Sequence, residues 1–235
     1  MDPRTAVVTG ASRGIGLAIA RRLVEHGVRV VMLARNADAL RTAAQPLGTS
    51  AIPLSCDLGD ASALDGMVKR VRESLGDAPD VLVNSAGLFK LATADTTDPR
   101  DFVAAIDVNL IAPFRLIRAF LPSMRVRKRG HIISIGSIAD HVAFPENGGY
   151  AASKFGLRGL HEVLRAESRD SGVRVTLISP GPVNTALWDD VNPDDRPGFT
   201  PRSAMLAPEA VAAAVLFAVT QPDDVNIDEL RLSRA

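Results

Sequence analysis

The chain holds one tyrosine, and it stands four residues before one of only four lysines, as Tyr150 and Lys154. On a helix that spacing puts both side chains on one face. With so few lysines, a chance Tyr-x3-Lys is a roughly 2% event when template matches are counted. An ammonium beside a phenol favours the phenolate and lowers the tyrosine pKa from about 10. Such a tyrosine can trade a proton with an alcohol or a carbonyl near neutral pH. Ser137 lies in Ile135-Gly136-Ser137-Ile138-Ala139, just past an apolar run, and its hydroxyl can hydrogen-bond the same reacting oxygen. Taken alone, Ser137 would equally satisfy a strand-end amide.

A second group of residues suits phosphate. Thr9-Gly10-Ala11-Ser12-Arg13-Gly14-Ile15-Gly16 follows the first apolar run and opens a helical pattern. A strand-to-helix turn needs backbone freedom, and a pyrophosphate needs close backbone approach with no Cβ in the way. Gly10 would make the turn, Gly14 would clear the diphosphate, and Gly16 would let the helix pack on the sheet. A glycine turn also serves plain strand–helix junctions; its place after the first strand is the context the dinucleotide motif requires. Sites for NAD usually carry Asp or Glu at the end of the second strand, on the ribose 2′-hydroxyl. Here that place reads Ala34-Arg35-Asn36, and Arg13 sits in the turn. Two guanidiniums and no acid suit a 2′-phosphate, so NADP(H) is expected over NAD(H). The alternative is that Arg35 is one more surface arginine in an arginine-rich chain.

Positioning these groups takes an alternation of apolar runs and helical patterns. Strands are predicted at Ala6–Val8, Val28–Leu33, Ala51–Leu54, Val81–Val83, Ile132–Ile135, Val173–Ile178 and Ile227–Leu232. Pro53 suggests a strand start. Helices are predicted at Ile15–His26, Ala37–Ala44, Leu64–Leu75, Phe102–Met124 (bent at Pro113), Tyr150–Arg169 and Pro208–Val219. The strands are too uniformly apolar for one-sided exposure, which predicts a parallel sheet covered by helices on both faces. The fold expected is α/β, an open doubly wound sheet of about seven strands. Residues 1–235 form one dinucleotide-binding and catalytic domain. The long irregular stretch at about 186–207, rich in Pro and Asp, reads as a substrate lid.

Composition excludes other classes. Basic and acidic residues balance at 27 each, which argues against nucleic acid. The apolar run Ala210–Val219 is half a membrane span. Met1-Asp2-Pro3-Arg4 lacks the basic start and long apolar stretch of a signal peptide, and a single cysteine excludes an internal disulfide, so a reducing cytoplasm is expected. The cluster Arg125–Arg129 reads as a solvated helix end, with docking of an acidic acyl carrier as the other possibility.

The chain resembles the short-chain dehydrogenase/reductase family, in its branch of about 250 residues, over nearly its whole length. Thr9–Gly16 matches TGxxxGxG. Cys56-Asp57-Leu58 resembles the family's adenine-side Asp-Leu, and Asn84-Ser85-Ala86-Gly87 matches its NNAG with Ser85 for the second Asn. Asn109, in Val108-Asn109-Leu110, resembles its helix Asn. Ser137 precedes Tyr150 by the usual 13 residues. Pro180-Gly181-Pro182-Val183-Asn184-Thr185 resembles the PGxVxT that meets the nicotinamide carboxamide. Two departures flank the serine: Gly136 replaces a frequent Ser, and Asp140 a frequent Gly. The glycine-rich tail that many members carry is absent.

What the resemblance implies is a Rossmann-type NADP(H)-dependent oxidoreductase that interconverts a carbonyl and an alcohol by hydride transfer. Its tetrad would be Asn109, Ser137, Tyr150 and Lys154, with Asn109 holding a water that links Lys154 to solvent. Gly10, Ser12, Arg13, Gly14, Ile15, Gly16, Arg35, Asp57, Leu58, Asn84, Ala86, Gly87, Tyr150, Lys154, Pro180, Gly181, Val183 and Thr185 would meet the cofactor. Leu88, Phe89, His141, Phe144, Leu187 and Trp188 form the expected pocket for a small-molecule carbonyl or alcohol, with Arg196 or Arg202 available from the lid for an anion. No metal, nucleic acid or membrane is expected. A homodimer or homotetramer would form through the two long helices. The alternative function is a non-catalytic NADP(H)-binding sensor or scaffold on the same fold.

Overall fold

A computed structural model describes residues 4–235. Met1–Pro3, on which the reading of the N-terminus partly rests, lie outside the described residues.

Seven strands form one sheet: β1 Thr5–Thr9, β2 Arg29–Ala34, β3 Ala51–Ser55, β4 Val81–Asn84, β5 Gly130–Ile135, β6 Val173–Pro180 and β7 Glu229–Leu232. Their order across the sheet is β3-β2-β1-β4-β5-β6-β7, and every pairing is parallel. The helices are α1 Gly14–Glu25, α2 Ala37–Ala44, α3 Ala61–Leu75, α4 Pro99–Ile106, α5 Ala112–Val126, α6 Gly148–Glu167 and α7 Pro208–Val219. The apolar strands are explained by two separate cores. On one face Val8, Val30 and Ile133 pack with Ile19 and Leu23 of α1, Leu40 of α2, and Val211 and Val215 of α7. On the other, Val7, Val31 and Ile132 pack with Leu64 of α3, Leu116 and Phe120 of α5, and Leu164 of α6. Residues adjacent along a strand serve opposite faces, so both sets of positions are mostly apolar, and polar exceptions such as His131, Ser134 and Thr176 are buried with hydrogen-bond partners.

Chain order reverses between β1 and β4, and the two strand ends are tied there. Thr9 Oγ1 accepts from the N–H groups of Ser85 (2.9 Å) and Ala86 (3.0 Å). A crevice at the carboxyl ends of the strands opens at such a switch point.

Two prolines act differently from expectation. Pro53 is the middle residue of β3, not its start. β3 is an edge strand, where a missing N–H costs no ladder bond. The predicted single helix Phe102–Met124 is two helices, and the irregularity precedes Pro113. Asp107–Ile111 forms one wide turn of π-helix between α4 and α5, and Pro113, second residue of α5, follows it where the shifted ladder accommodates its missing N–H. No described helix is long and apolar enough to cross a membrane.

Candidate active site

A cavity of about 980 Å³ lies along the carboxyl ends of the strands. One end is made of backbone. Gly10 and Gly14 have φ of +68° and +55°, a region open chiefly to glycine. A Cβ on Gly10 would stand 2.8 Å from Ala86 Cα, and one on Gly16 would overlap the Gly10 carbonyl oxygen. The turn therefore fits only glycines, and it leaves the first N–H groups of α1 without a side-chain cap. Such N–H groups attract an anion. Ser12, Arg13, Gly14, Ile15, Arg35, Asp57 and Leu58 line this end. Arg13 and Arg35 are exposed, and neither has an ion-pair partner among the described residues. Beside them Asn36 caps α2, accepting from Ala39 N–H at 2.9 Å. Asp57 accepts from Gly59 N–H at 3.0 Å. These residues fit a dinucleotide carrying a 2′-phosphate: unpaired cations, free helix N–H groups and no acid at the end of β2.

The middle of the cavity holds Ser137, Tyr150 and Lys154, with Ala86, Gly87, Pro180, Gly181, Val183 and Thr185 around them. Ser137 caps a short 3-10 turn at Ile138–Asp140, and Thr185 caps another at Ala186–Trp188. The Ser137 hydroxyl is the neighbour that favours the Tyr150 phenolate. One expectation is corrected here. Tyr150 is pushed up to about 12, not down, because burial disfavours the phenolate more than the Ser137 hydroxyl relieves it, and Asp140 adds to the rise. Lys154 does not compensate: its Nζ lies 5.5 Å from the ring centroid and donates to Ile135 O at 2.7 Å. Burial brings Lys154 down to about 8, against the opposing charge of Asp140.

Three expected residues lie outside the cavity lining. Asn84 is buried within the sheet and donates to Ser134 Oγ at 3.2 Å. Asn109 sits in the wide turn, where its amide is committed: Oδ1 accepts from Leu88 N–H (2.7 Å), and Nδ2 donates to Leu88 O (2.9 Å) and Ser153 Oγ (3.0 Å). It braces the loop after β4. His141 turns away, between Glu229 Oε1 (2.7 Å) and Arg158 (2.7 Å).

The far end is made of side chains. Phe89 packs edge-on to both Tyr150 (5.0 Å between centroids) and Trp188 (5.1 Å), and Trp188 meets Phe199 at 6.5 Å. Leu88, Phe144 and Leu187 complete an apolar wall. Phe199, Glu146 and Asn147 are additions that the sequence reading missed. Phe199 and Asn147 carry no spacing signal. Glu146 has a positive φ of 61°, which a sequence does not announce. The two arginines offered for an anion are engaged elsewhere: Arg196 pairs with Glu146 (2.9 Å), and Arg202 with Asp189 (2.6 Å). The Arg125–Arg129 cluster is also turned to its own protein. Arg125 donates to Glu167 O, Arg127 to Ala78 O, and Arg129 pairs with Asp80. These contacts are those of a helix end packed on its own protein, with Lys128 left exposed.

The short chain dehydrogenase family model matches residues 4–196. An uncharacterised oxidoreductase of Staphylococcus aureus strain MRSA252 is 35% identical over 231 residues, covering 98% of this chain and 96% of that one. Among solved structures, a metagenomic short-chain oxidoreductase in complex with NADP is 37% identical, with TM-score 0.85 over 99% of this chain and 97% of that one. The closed form of a serine dehydrogenase complexed with NADP+ is 31% identical, with TM-score 0.89 over 97% and 94%. The chain belongs to the short-chain dehydrogenase/reductase family. It is an oxidoreductase of that family on a single-domain α/β fold.

Proposed function

We propose that the chain is an NADP(H)-dependent oxidoreductase that interconverts an uncharged, hydrophobic carbonyl compound and its alcohol. The observation that carries this is the meeting of Ser137, Tyr150 and Lys154 in one cavity, between a glycine turn flanked by two unpaired arginines and an aromatic wall. The solved NADP complexes among its structural relatives support the cofactor.

The glycine turn and the α1 N–H groups would hold the pyrophosphate, and Arg13 and Arg35 the 2′-phosphate. Lys154 and Tyr150 would hold the ribose on the nicotinamide side. When bound, the dinucleotide supplies or accepts the hydride at the substrate carbon. Ser137 Oγ orients the substrate oxygen by a hydrogen bond. In reduction, Tyr150 gives its hydroxyl proton to that oxygen, with the Lys154 ammonium 5.5 Å from its ring. A phenol held near 12 keeps its proton at neutral pH, so the proton is present for reduction; the reverse direction, with Tyr150 as base, gains as pH rises. The 186–207 segment acts as a lid, with Leu187, Trp188 and Phe199 excluding water from the reacting oxygen. Arg196 neutralises Glu146, leaving no free charge at the substrate end. The intact Ser, Tyr and Lys speak against a binding-only role. We place the protein in the cytoplasm as a homo-oligomer built on α5 and α6.

Tyr150→Phe tests the reading. It keeps the ring packing and removes the proton, so kcat should fall at least about 100-fold, while NADPH titrated by fluorescence binds as before. A variant that keeps most of its turnover overturns the assignment.

A further inference from the structure

Gly136 stands directly before Ser137, and Asp140 three residues after it. In the fold these two departures from the family pattern share one space. A Cβ on Gly136 would overlap Asp140 Oδ2 and stand 2.8 Å from Ser179 Oγ. The Asp140 side chain is wholly buried. Its Oδ2 accepts from Ser137 N–H at 3.0 Å and from Ser179 O–H at 2.6 Å. Its Oδ1 has no hydrogen-bond partner. A buried carboxylate left so is costly unless a cation faces it.

The groups around it narrow the choice of cation. Ser179 of β6 and Ser137 are donors without charge. His141 Nε2 lies 3.2 Å from Oδ1, but the ring spends its bonds on Arg158 of α6 at Nδ1 and on Glu229 of β7 at Nε2, each 2.7 Å. Arg231 of β7 bonds to His141 and Glu229. Tyr150 and Lys154 come from α6, and Lys154 is the buried cation whose Nζ is fixed on Ile135 O, one residue before Gly136.

We propose that Asp140 is a positioning residue for the reaction: its carboxylate fills the space that Gly136 leaves, ties down the Ser137 turn, and is the counter-charge of Lys154. The proposal rests on Tyr150 and Lys154 being the proton-handling pair. Asp140 raises both of them, so its neutralisation lowers both. In reduction Tyr150 must hold its proton and Lys154 its charge. The alkaline limb of the pH–rate profile therefore moves to lower pH when Asp140 is removed.

Three variants test this: Asp140→Asn, Gly136→Ser, and Gly136→Ser combined with Asp140→Gly. Each is read by the phenolate absorbance of Tyr150, with circular dichroism at every pH, and by the pH profile of kcat/KM. Asp140→Asn should move both midpoints down by about one pH unit. Gly136→Ser alone should lose at least about tenfold in activity or in folded yield, because two side chains then claim one space. The double variant should recover that loss and keep the downward shift, which carries the pH test even if Asp140→Asn fails to fold. Midpoints that superimpose on those of the unaltered protein overturn the counter-charge role. A double variant no better than Gly136→Ser overturns the shared space. The phenolate titration needs no turnover, so failure to reduce any carbonyl would sink the proposed function and leave the Asp140 result standing.

Discussion

The two ends of the cavity are built from different materials. At the phosphate end the chain offers main-chain N–H groups and glycines, fixed by close contacts with neighbouring backbone. At the substrate end it offers aromatic side chains and an ion pair, Arg196 to Glu146, joining two loops. A backbone site tolerates almost no change of residue, because a Cβ on Gly10 or Gly16 meets backbone that cannot move aside. A side-chain site can be remodelled at modest cost, because rings and ion pairs can repack. The first sort of end suits a ligand that never varies, and the second a ligand that differs from one relative to another.

Substitutions at each end can break or sharpen this contrast. The largest effect is expected at the phosphate end: Gly16→Ala forces a methyl into the Gly10 carbonyl and should cost about 3 kcal/mol in denaturant unfolding, or abolish NADPH binding outright. A loss under about 1 kcal/mol with binding intact would show that the turn is softer than the contacts imply.

A pH effect of similar size belongs beneath the cavity, where His161 is wholly buried against Ser134 (2.7 Å) and burial brings it down to about 3. The unfolded chain takes up that proton near 6.5, so the unfolded state binds more protons throughout the interval. The stability is full above pH 6.5 and is lost as pH falls toward 3, by several kcal/mol. Buried His131, also lowered by burial, adds in the same direction. Unfolding midpoints at pH 7 and pH 4 measure the slope. If His161→Gln leaves the slope unchanged, its source is elsewhere.

Next comes the arginine pair. Arg13→Ala with Arg35→Ala should weaken NADPH binding about 10- to 100-fold and leave NADH nearly unchanged, since a charge-assisted bond contributes about 1.5–3 kcal/mol. Equal losses for both cofactors would place the arginines away from the 2′-phosphate. At the substrate end, Trp188→Ala should raise KM for a bulky apolar ketone about tenfold, from lost apolar contact, with unfolding stability little changed. The smallest effect is expected for Arg196→Ala, which removes a half-exposed ion pair contributing less than about 1 kcal/mol to stability. If Arg196→Ala were the more damaging of the two, the substrate end would depend on its ion pair rather than its aromatic wall.

The same contrast explains how much the sequence revealed. Strand and helix order was legible because both faces of a parallel sheet must be apolar, and the glycine turn because its backbone admits no other residue. Tyr150 and Lys154 were legible because helix spacing alone puts them on one face. Their ionisation was not: Lys154 Nζ is drawn to Ile135 O, a contact between a helix and a strand end that no local spacing encodes. His141 sits close to Ser137 in sequence, yet Glu229 and Arg231, some 90 residues away, draw it out of the cavity. Phe199 reaches the site only through the path of the 186–207 segment. The wide turn that lets Asn109 brace Leu88 looks in sequence like any continuous helix.

Pro53 has one more consequence. Cys56 N–H donates to Ala34 O, so the alternation of β3 aims the N–H groups of Ile52 and Leu54 at β2 and leaves Pro53 facing outward. A strand arriving at that edge would need a donor at the centre of the five-residue segment and would find a ring. The opposite edge, β7, is only four residues long and carries Arg231. A sheet ended in this way resists growth by strand addition, so partly unfolded copies should be slow to seed fibrils even though the sheet interior is almost wholly apolar.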